Sequence, residues 1–333
     1  MADKPGERMS DSSTRITGIG SALVDLLINE TDGFLEALGR EKGGMTLVEH
    51  RDQEEILEKS GQREVVVPGG AACNTIVGAA RLGGEARFIG KRGSDRYGDQ
   101  YEDALRGFNV EPVFHISATP TGRVLSIITP DAQRSMFTHL GASVELEPAR
   151  VMPEMFSDTA IAVIEGYLLF NPDLMMAALN SARSAGAKIA LDLASFQVVE
   201  ASRPILSNII SEYVDILIAN EDEARAYTGF EDESAALEAL SHNVGISVLK
   251  VGKRGSYVSA DGRVLRIQPE IGRDAVDTTG AGDLWASGFL YGIAHGYSLE
   301  RSGELGSACG YEVCQVVGAH IPDHGWERIK RLL

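Results

Sequence analysis

Residues 159–191 read TAIAVIEGYLLFNPDLMMAALNSARSAGAKIAL and decide the fold. The apolar run over 159–165 predicts a buried β-strand. An Asn-Pro pair at 171–172 predicts the start of a helix, Gly186 predicts its end, and the run over 188–191 predicts the next strand. A strand, a helix and a second strand in this order are typical of a parallel βαβ unit.

The same alternation continues with VDILIA at 214–219 and ISVLKV at 246–251. We therefore predict an α/β domain over residues 15–333, with a mostly parallel central sheet that helices cover on both faces. Two stretches, about 23–49 and 113–140, instead alternate apolar with polar residues. Such alternation is typical of antiparallel strands with one solvated face, so we expect a small β lid over the mouth of the domain.

The composition of the chain limits the classes of partner and the cellular compartment that we expect. Of 333 residues 44% are hydrophobic, and 48 Asp and Glu against 31 Lys and Arg give a formal net charge of −17. This acidic excess predicts no nucleic-acid and no membrane partner, because it repels anionic surfaces. Three cysteines without CxxC spacing fit a reducing compartment. With the polar stretch 1–14, interpreted as a mobile leader, they predict a cytoplasmic protein.

The sharpest local motif is DTTGAGD at 277–283, which precedes a helical apolar pattern. Gly280 and Gly282 allow free backbone N–H groups at the helix start to converge on one point, an arrangement that suits a phosphate. Asp283 would be ionised there and could take a proton from a hydroxyl group that attacks the phosphate. The alternative is a tight glycine turn with an acidic helix cap.

Two further segments carry candidate binding residues. GGAACN at 69–74 opens another predicted helix, and Asn74 offers the donor and acceptor that a sugar hydroxyl requires. Asp25 follows a predicted strand and could accept two vicinal hydroxyls, or could be an exposed turn acid. A dinucleotide-binding loop over 18–23 is disfavoured, because Leu23 replaces its third glycine and strand-like sequence follows.

Candidate nucleotide and metal residues follow two later strands. Asn220 and Glu223 could anchor hydrated Mg²⁺ through water, or could cap a helix. Lys250 and Gly252 end the next strand, with Gly255 nearby. These residues could let a nucleotide approach the backbone, or could form an ordinary hairpin.

Several common catalytic motifs are absent from the sequence. The pairs Gly90–Lys91 and Gly252–Lys253 both lack the rest of a Walker A loop, so a nucleotide would be held in another way. No HExxH or HxxEH motif supports a zinc enzyme, and no GxSxG supports a serine hydrolase.

Taken together, the motifs resemble those of the ribokinase-like, or PfkB, carbohydrate and nucleoside kinases. The resemblance rests on GGAACNTIVGAARLGG (69–84), FIGKRGSDRYG (88–98), NxxE (220–223) and DTTGAGD (277–283), and it extends over nearly the whole chain from Arg15. It implies a three-layer α/β/α fold with a small antiparallel β lid. It also implies transfer of the γ-phosphoryl group of ATP, with Mg²⁺, to a sugar-type hydroxyl.

The resemblance assigns a role to each candidate residue. Asp283 would be the catalytic base. The other implied roles are an anion hole at Thr279, Gly280, Ala281 and Gly282; substrate binding at Asp25, Gly69, Gly70 and Asn74; Mg²⁺ through water at Asn220 and Glu223; ATP at Asn220, Lys250, Gly252 and Gly255; and a monovalent cation such as K⁺ at Asp277 and Gly318.

Within the family, the chain looks most similar to the adenosine kinase branch. The segments are RSMFTHLGAS (134–143), LDLASF (191–196) and VDILIANEDEARAYTG (214–229). This likeness implies the 5'-hydroxyl of adenosine or a related nucleoside as acceptor, with a phosphate contact at Arg134 and apolar walls at Leu23, Tyr167 and Leu168. A kinase of ribose, fructose or a similar free sugar is the alternative, in which those apolar residues are simply core.

A third possibility is a nucleoside-binding sensor without catalysis. The intact Asp283 beside its glycines favours an enzyme, since a sensor would be free to lose the base. The partner is then a small-molecule nucleoside or sugar, and the chain is expected to be a monomer or a homodimer.

Overall fold

The computed structural model describes residues 13–39, 42–131, 133–270 and 272–333. The predicted leader therefore lies outside the described residues, except for Ser13 and Thr14. The described strands are β1 (Arg15–Ile19), β2 (Leu23–Asn29), β3 (Met45–Leu47), β4 (Val65–Gly69), β5 (Ala86–Gly93), β6 (Val110–Ser117), β7 (Gly122–Ile128), β8 (Arg134–His139), β9 (Thr159–Glu165), β10 (Lys188–Asp192), β11 (Ile216–Asn220), β12 (Ile246–Lys250), β13 (Ser256–Ala260) and β14 (Arg263–Ile267).

Helices connect most of these strands. They are α1 (Asp32–Ala37), α2 (His50–Ser60), α3 (Ala71–Arg81), α4 (Arg96–Gly107), α5 (Pro172–Ser184), α6 (Phe196–Tyr213), α7 (Glu221–Thr228), α8 (Glu233–Leu240), α9 (Ala281–Ala294), α10 (Leu299–Val313) and α11 (Asp323–Ile329). Within the described ranges, none of them combines the length and the hydropathy that crossing a bilayer requires.

The larger sheet has the strand order β14-β13-β12-β11-β10-β9-β1-β5-β6. Its strands run parallel from β12 to β6, and only β13 and β14 add antiparallel pairs at one edge. The predicted unit of β9, α5 and β10 is confirmed. The Asn171 side chain caps α5 by accepting from the Leu174 amide at 3.2 Å.

Side chains of the large sheet divide between two cores. Along β9, Ile161 and Val163 enter one core, whereas Ala162 and Ile164 enter the other. Helices α3, α4, α9 and α10 contribute buried residues to the first core, and α5 to α8 contribute to the second. The chain thus forms the three-layer α/β/α fold that was predicted, because each face of a parallel sheet needs a helical cover.

A separate small sheet has the order β3-β8-β7-β2-β4. The pairs β2–β4 and β7–β8 are antiparallel, as predicted for the lid, while β2–β7 and β3–β8 are parallel, which makes the sheet mixed. Its strand β4 was not predicted; it contains Pro68, which cannot donate to a ladder and is tolerated at the edge that β4 occupies.

The predicted boundary of the lid was wrong at one point. Residues 113–117 were assigned to the lid, but they belong to Val110–Ser117, which pairs in parallel with β5 in the large sheet. The strand lies at the edge of that sheet, where most of its residues keep partial exposure. Its sequence therefore alternates like that of an antiparallel strand with one solvated face.

Glycines bring helix α9 close to two neighbouring helices. A Cβ atom added at Gly288 would lie 2.6 Å from the Leu305 carbonyl oxygen of α10, and one added at Gly78 of α3 would lie 2.3 Å from Ser287 Oγ. Contacts this short leave no room for even a methyl group. Helix α9 is therefore packed against α10 at backbone distance.

We expect Gly288→Ala to lower the free energy of unfolding by about 1–3 kcal/mol, because the new methyl group would press on backbone atoms of α10. The matched control is Gly107→Ala at the exposed end of α4, where nothing lies within 4 Å of the added Cβ. The control should be neutral or slightly stabilising. Urea denaturation measures both, and equal stabilities of the two variants would contradict this packing.

Candidate active site

Four neighbouring strands of the large sheet each end in a polar residue. Glu165, Asp192, Asn220 and Lys250 are the last residues of β9, β10, β11 and β12. The strands are parallel and adjacent, and the register pairs Asp192 with Glu165 and Asn220 with Lys250. The polar groups therefore form a row along the carboxyl edge of the sheet, where open α/β sheets hold their ligands.

The DTTGAGD loop leads into helix α9 beside this row. Gly280 is the residue that precedes the helix, with a φ of +74° that favours glycine. The loop itself uses two of the four predicted anion-hole amides: Thr279 N donates to Asp277 Oδ1, and Ala281 N donates to the Thr278 carbonyl. Among the described residues, the amides of Gly280 and Gly282 have no such partner, so these two are available to an anion.

Asp283 lies in the first turn of α9 and is bound to helix α3. Asn74 Nδ2 donates to Asp283 Oδ2 at 2.9 Å, and Thr75 Oγ1 donates to the Asp283 carbonyl oxygen at 3.1 Å. Burial raises the pKa of Asp283 to about 6; the Asn74 hydrogen bond opposes this shift, and the charge of Asp192 adds to it. A carboxylate with this pKa is ionised at neutral pH and can accept a proton.

Asp25 projects from the lid strand β2 toward the same space. Its carboxyl group lies against Gly69, where an added Cβ would be 2.7 Å from Asp25 Cγ. Gly70, with a φ of +95°, opens α3 in contact with the Ser21 carbonyl. Burial raises the pKa of Asp25 to about 6, while Arg134 lowers it and Asp283 raises it. The structure thus brings the predicted substrate residues and the predicted base together.

Glu165 is a site residue that the sequence analysis missed. Its buried carboxylate accepts from Ser21 N at 3.3 Å and from Ala72 N at 3.1 Å, so it joins the loop after β1 to the first turn of α3. Burial raises its pKa to about 7. The sequence does contain a signal for this residue, because Glu165 is a charged residue directly after the apolar run TAIAVI. Through α3, Glu165 supports the position of Asn74.

Arg134, the predicted phosphate contact, joins the lid to the DTTGAGD loop. Its Nη1 donates to Thr279 Oγ1 at 2.7 Å and to Asp277 Oδ2 at 3.2 Å, and its Nη2 donates to Ser126 Oγ at 2.8 Å. The guanidinium group therefore lies beside the predicted anion hole. A lid arginine in this position can contact a bound phosphate directly.

Asp277 and Gly318, the predicted monovalent-cation residues, are also together. Gly318 N donates to Asp277 Oδ2 at 2.8 Å, and Thr279 binds the other carboxylate oxygen. Burial acts to raise the pKa of Asp277, but the amides of Gly318 and Thr279 and the charge of Arg134 hold it below its ordinary value. The carboxylate consequently stays ionised.

Asn220 and Glu223 form a reciprocal helix cap at the start of α7. The Asn220 backbone and side chain donate to the two Glu223 oxygens at 2.8 and 2.7 Å, and Glu223 N donates back to Asn220 Oδ1 at 2.9 Å. Burial, followed by the charge of Asp192, raises the pKa of Glu223 to about 7. The capping interpretation is confirmed, and the carboxylate remains at the carboxyl edge of the sheet.

The donor set around Glu223 fits a hydrated Mg²⁺ ion. The charges of three carboxylates, those of Asp192, Glu223 and Asp283, act on one ammonium group, that of Lys250, which donates to Asp192. No group of three or more ligating side chains forms a cage in the described part of the chain. Carboxylates in excess of the neighbouring ammonium group offer the hard oxygen ligands that Mg²⁺ takes, directly or through water.

The two remaining nucleotide candidates line the turn after β12. Gly252 has a φ of +57°, and Gly255 has a φ of +96°. A Cβ at Gly255 would lie 2.2 Å from the Ile267 carbonyl oxygen of β14, whereas nothing lies within 4 Å of one at Gly252. Close packing against β14 therefore explains Gly255, and Gly252 leaves the backbone open to solvent.

The three predicted apolar walls differ in position. Leu168 is buried in the core that α5 and α6 cover. Tyr167 is 41% exposed and stacks with Phe170 at a ring distance of 6.5 Å. Leu23 lies on β2 opposite Gly69 and Gly122, on the same face as Asp25.

Comparisons with known proteins show the family of the chain. The sequence profile described as pfkB family carbohydrate kinase matches residues 43–324. A ribokinase of Haemophilus influenzae is 30% identical over 260 residues, covering 75% of this chain and 81% of that protein. A 5-dehydro-2-deoxygluconokinase of Bacillus subtilis is 27% identical over 298 residues, covering 84% of this chain and 90% of that protein.

A solved structure, the adenosine kinase of Sinorhizobium meliloti, superposes with a TM-score of 0.84 at 32% identity, covering 96% of this chain and 99% of that chain. Fold and site together define a phosphotransferase that acts on a sugar hydroxyl. The chain belongs to the pfkB family of carbohydrate kinases. Membership implies ATP as the phosphoryl donor, usually with Mg²⁺.

We expect Asp283→Asn to stabilise the protein at alkaline pH. The pKa of this carboxyl rises from an ordinary value of 3.8 to about 6 on folding, so stability falls as pH rises from 3.8 to 6 and stays reduced above it. Asparagine carries no charge and therefore avoids this loss of stability. The expected gain in the free energy of unfolding is at most about 3 kcal/mol at pH 8 and about half of that at pH 5.

Thermal unfolding at the two pH values measures this effect. Asp103→Asn, at an exposed position of α4, is the control and should show no difference between pH 5 and pH 8. If the melting temperature of Asp283→Asn at pH 8 is equal to or below that of the parent protein, burial of the Asp283 carboxylate does not destabilise the fold.

Proposed function

We propose that this chain transfers the γ-phosphoryl group of ATP to the 5'-hydroxyl of adenosine or a related nucleoside. The arrangement of Asp283, Asn74 and Asp25 carries the proposal. Asp25 and Asn74 would bind ribose hydroxyls beside Gly69 and Gly70, and Asp283 would take the proton of the attacking hydroxyl. The free amides of Gly280 and Gly282 would bind the phosphoryl oxygens, with Arg134 beside them.

We assign the nucleotide to the carboxyl edge of the sheet. Lys250, Gly252 and Gly255 would lie along the ATP, and Asn220 with Glu223 would order Mg²⁺ through water. The metal ion, when bound, would neutralise phosphate charge. Asp277 and Gly318 would hold a monovalent cation, through backbone carbonyls of their loops, and this ion would stabilise the loop that forms the anion hole.

The lid face around Asp25 favours a nucleoside over a free sugar. Strand register places apolar side chains on the same face as Asp25, on β2, β4, β7 and β8. These residues remain partly exposed; they are Leu23, Leu27, Val67, Val124 and Met136. An apolar surface around a hydroxyl-binding carboxylate suits a ligand with a flat base beside its ribose.

A second candidate is a kinase of ribose, fructose or another free sugar. The names of the curated relatives, a ribokinase and a 5-dehydro-2-deoxygluconokinase, favour it. The solved neighbour at 32% identity, named an adenosine kinase, favours the nucleoside. The two candidates share the same catalytic residues and differ only in what covers the lid face.

The first test measures ADP release from Mg-ATP, with and without K⁺, over adenosine, inosine, guanosine, cytidine, ribose, fructose and 5-dehydro-2-deoxygluconate. We expect selective turnover of adenosine or another nucleoside, stimulated by K⁺. Asp283→Asn is the control and should lower turnover by a factor of about 10² to 10⁴, the usual contribution of a positioned base. Turnover of sugars alone would assign the protein to the second candidate.

The lid face is tested by Val67→Thr, which keeps the shape of the side chain but makes it polar. Val67 pairs with Asp25 across β2 and β4. We expect KM for the nucleoside to rise about tenfold, in the range that one methyl group contributes in an apolar pocket, with KM for ATP unchanged. Val264→Thr, at a 60% exposed position of β14 in the large sheet, is the control. An unchanged KM in Val67→Thr would show that the nucleobase of the substrate does not bind against this face of the lid.

A further inference from the structure

The ion pair between Lys250 and Asp192 occupies the centre of the carboxyl edge. Lys250 Nζ donates to Asp192 Oδ2 at 3.0 Å, across the intervening strand β11. The two side chains are only 13% and 19% exposed. An ammonium group rarely lies this deep without a specific partner, because it loses its hydration there.

Asp192 holds a fixed position. Its second oxygen, Oδ1, accepts from Ala194 N at 3.0 Å, in a turn where Ala194 has a φ of +64°. Both carboxylate oxygens are therefore engaged, one by the backbone and one by Lys250. Because the backbone turn anchors the carboxylate, the carboxylate in turn determines where the ammonium group lies.

The ammonium group faces the loop that precedes α9. A Cβ atom added at Gly282 would lie 3.0 Å from Lys250 Nζ, so the ammonium group lies directly against the backbone next to one of the free amides. Among the described residues, Asp192 is its hydrogen-bond acceptor. A lysine ammonium carries three donors, so the others remain available to a ligand at this loop.

The ammonium group remains charged in this environment. Burial acts to lower the pKa of Lys250, but the carboxylates of Asp192, Glu223 and Asp283 outweigh burial and hold it above its ordinary value. A positive charge thus lies beside Gly282, the residue that precedes Asp283.

We propose that Lys250 is a catalytic residue that donates hydrogen bonds to the transferred phosphoryl group, and that Asp192 is the positioning residue that holds it there. The inference rests on the proposed kinase function. The bond from the substrate oxygen to the γ-phosphorus forms, and the bond from that phosphorus to the β,γ-bridging oxygen breaks. The hydroxyl proton goes to Asp283, and the electron pair of the broken bond leaves on ADP.

During this step negative charge is spread over the phosphoryl oxygens and the leaving oxygen. A preorganised ammonium group stabilises that charge without reorganisation, as oxyanion donors do in other transferases. The contact should be strong with the γ-phosphoryl group and weak with a nucleotide that lacks it. This difference separates a catalytic role from a structural one.

The experiment measures dissociation constants of Mg-ADP and of the Mg complex of the β,γ-imido analogue of ATP by calorimetry, together with single-turnover rates. For Lys250→Met we expect affinity for the analogue to fall about tenfold or more, and affinity for ADP to change less than threefold. The transfer rate should fall about 10²-fold. Lys188→Met, exposed at the opposite end of strand β10, should match the parent protein.

Asp192→Asn provides the test of positioning. We expect its single-turnover rate to fall about tenfold while its ADP affinity stays within threefold of the parent protein, since the ammonium group is retained but no longer held. Should Lys250→Met fail to fold with Asp192 left unpaired, Asp192→Asn combined with Lys250→Met removes both buried charges and carries the same comparison.

Equal losses of affinity for ADP and for the analogue, or no loss for either, would overturn the role of Lys250. An unchanged transfer rate in Asp192→Asn would overturn the role of Asp192. If the parent protein binds neither nucleotide, the proposed kinase function itself fails. The nucleotide-binding measurements need no acceptor substrate, so an incorrect choice of sugar or nucleoside cannot be mistaken for either result.

Discussion

The candidate site depends on buried carboxylates that outnumber the cationic side chains beside them. Asp283, Glu223 and Glu165 each have a pKa raised by burial. Desolvation on this scale is tolerated only where hydrogen bonds compensate for it, and the fold supplies these bonds from helix starts. Helix α3 donates to Glu165, α7 caps itself through Glu223, and α9 begins beside the free amides of its glycine loop.

The same constraint explains how the lid and the sheet meet. Asp25 enters the site from the lid, and its charge is opposed by that of Asp283 and supported by that of Arg134. Arg134 also comes from the lid and contacts Asp277 and Thr279. The lid therefore adds one negative charge, that of Asp25, and one positive charge, that of Arg134, to the site. A phosphate bound there would be repelled by the first charge and attracted by the second.

Sequence patterns predicted the parts of the site that lie in local motifs. The DTTGAGD loop, the start of α3 and the cap at Asn220 were predicted because a glycine pair or an Asn-to-Glu spacing has its meaning within a few residues. Glu165 and Asp192 were missed because each is a single acid at the end of an apolar run. Only the parallel register of β9 and β10 shows that the two are neighbours.

The misplaced lid boundary and the different positions of two adjacent wall candidates have a similar origin. Leu168 and Tyr167 are adjacent in the sequence, yet one enters the core and the other reaches the surface, and apolar character does not distinguish the two directions. Val110–Ser117 alternates like a lid strand because an edge strand of a parallel sheet also has a solvated face. In both cases tertiary packing decided between local patterns that look the same.

The glycine-lined packing of α9 has a consequence for how such an enzyme can change. The helix that carries Asp283 touches α10 through Gly288 and α3 through Gly78, so the proposed base lies in a closely packed part of the molecule. The small sheet contributes Asp25 and its apolar neighbours from a separate layer. With the proposed roles of these residues, substitutions in the small sheet alone would change which acceptor binds, while the residues proposed to transfer the phosphoryl group stay as they are.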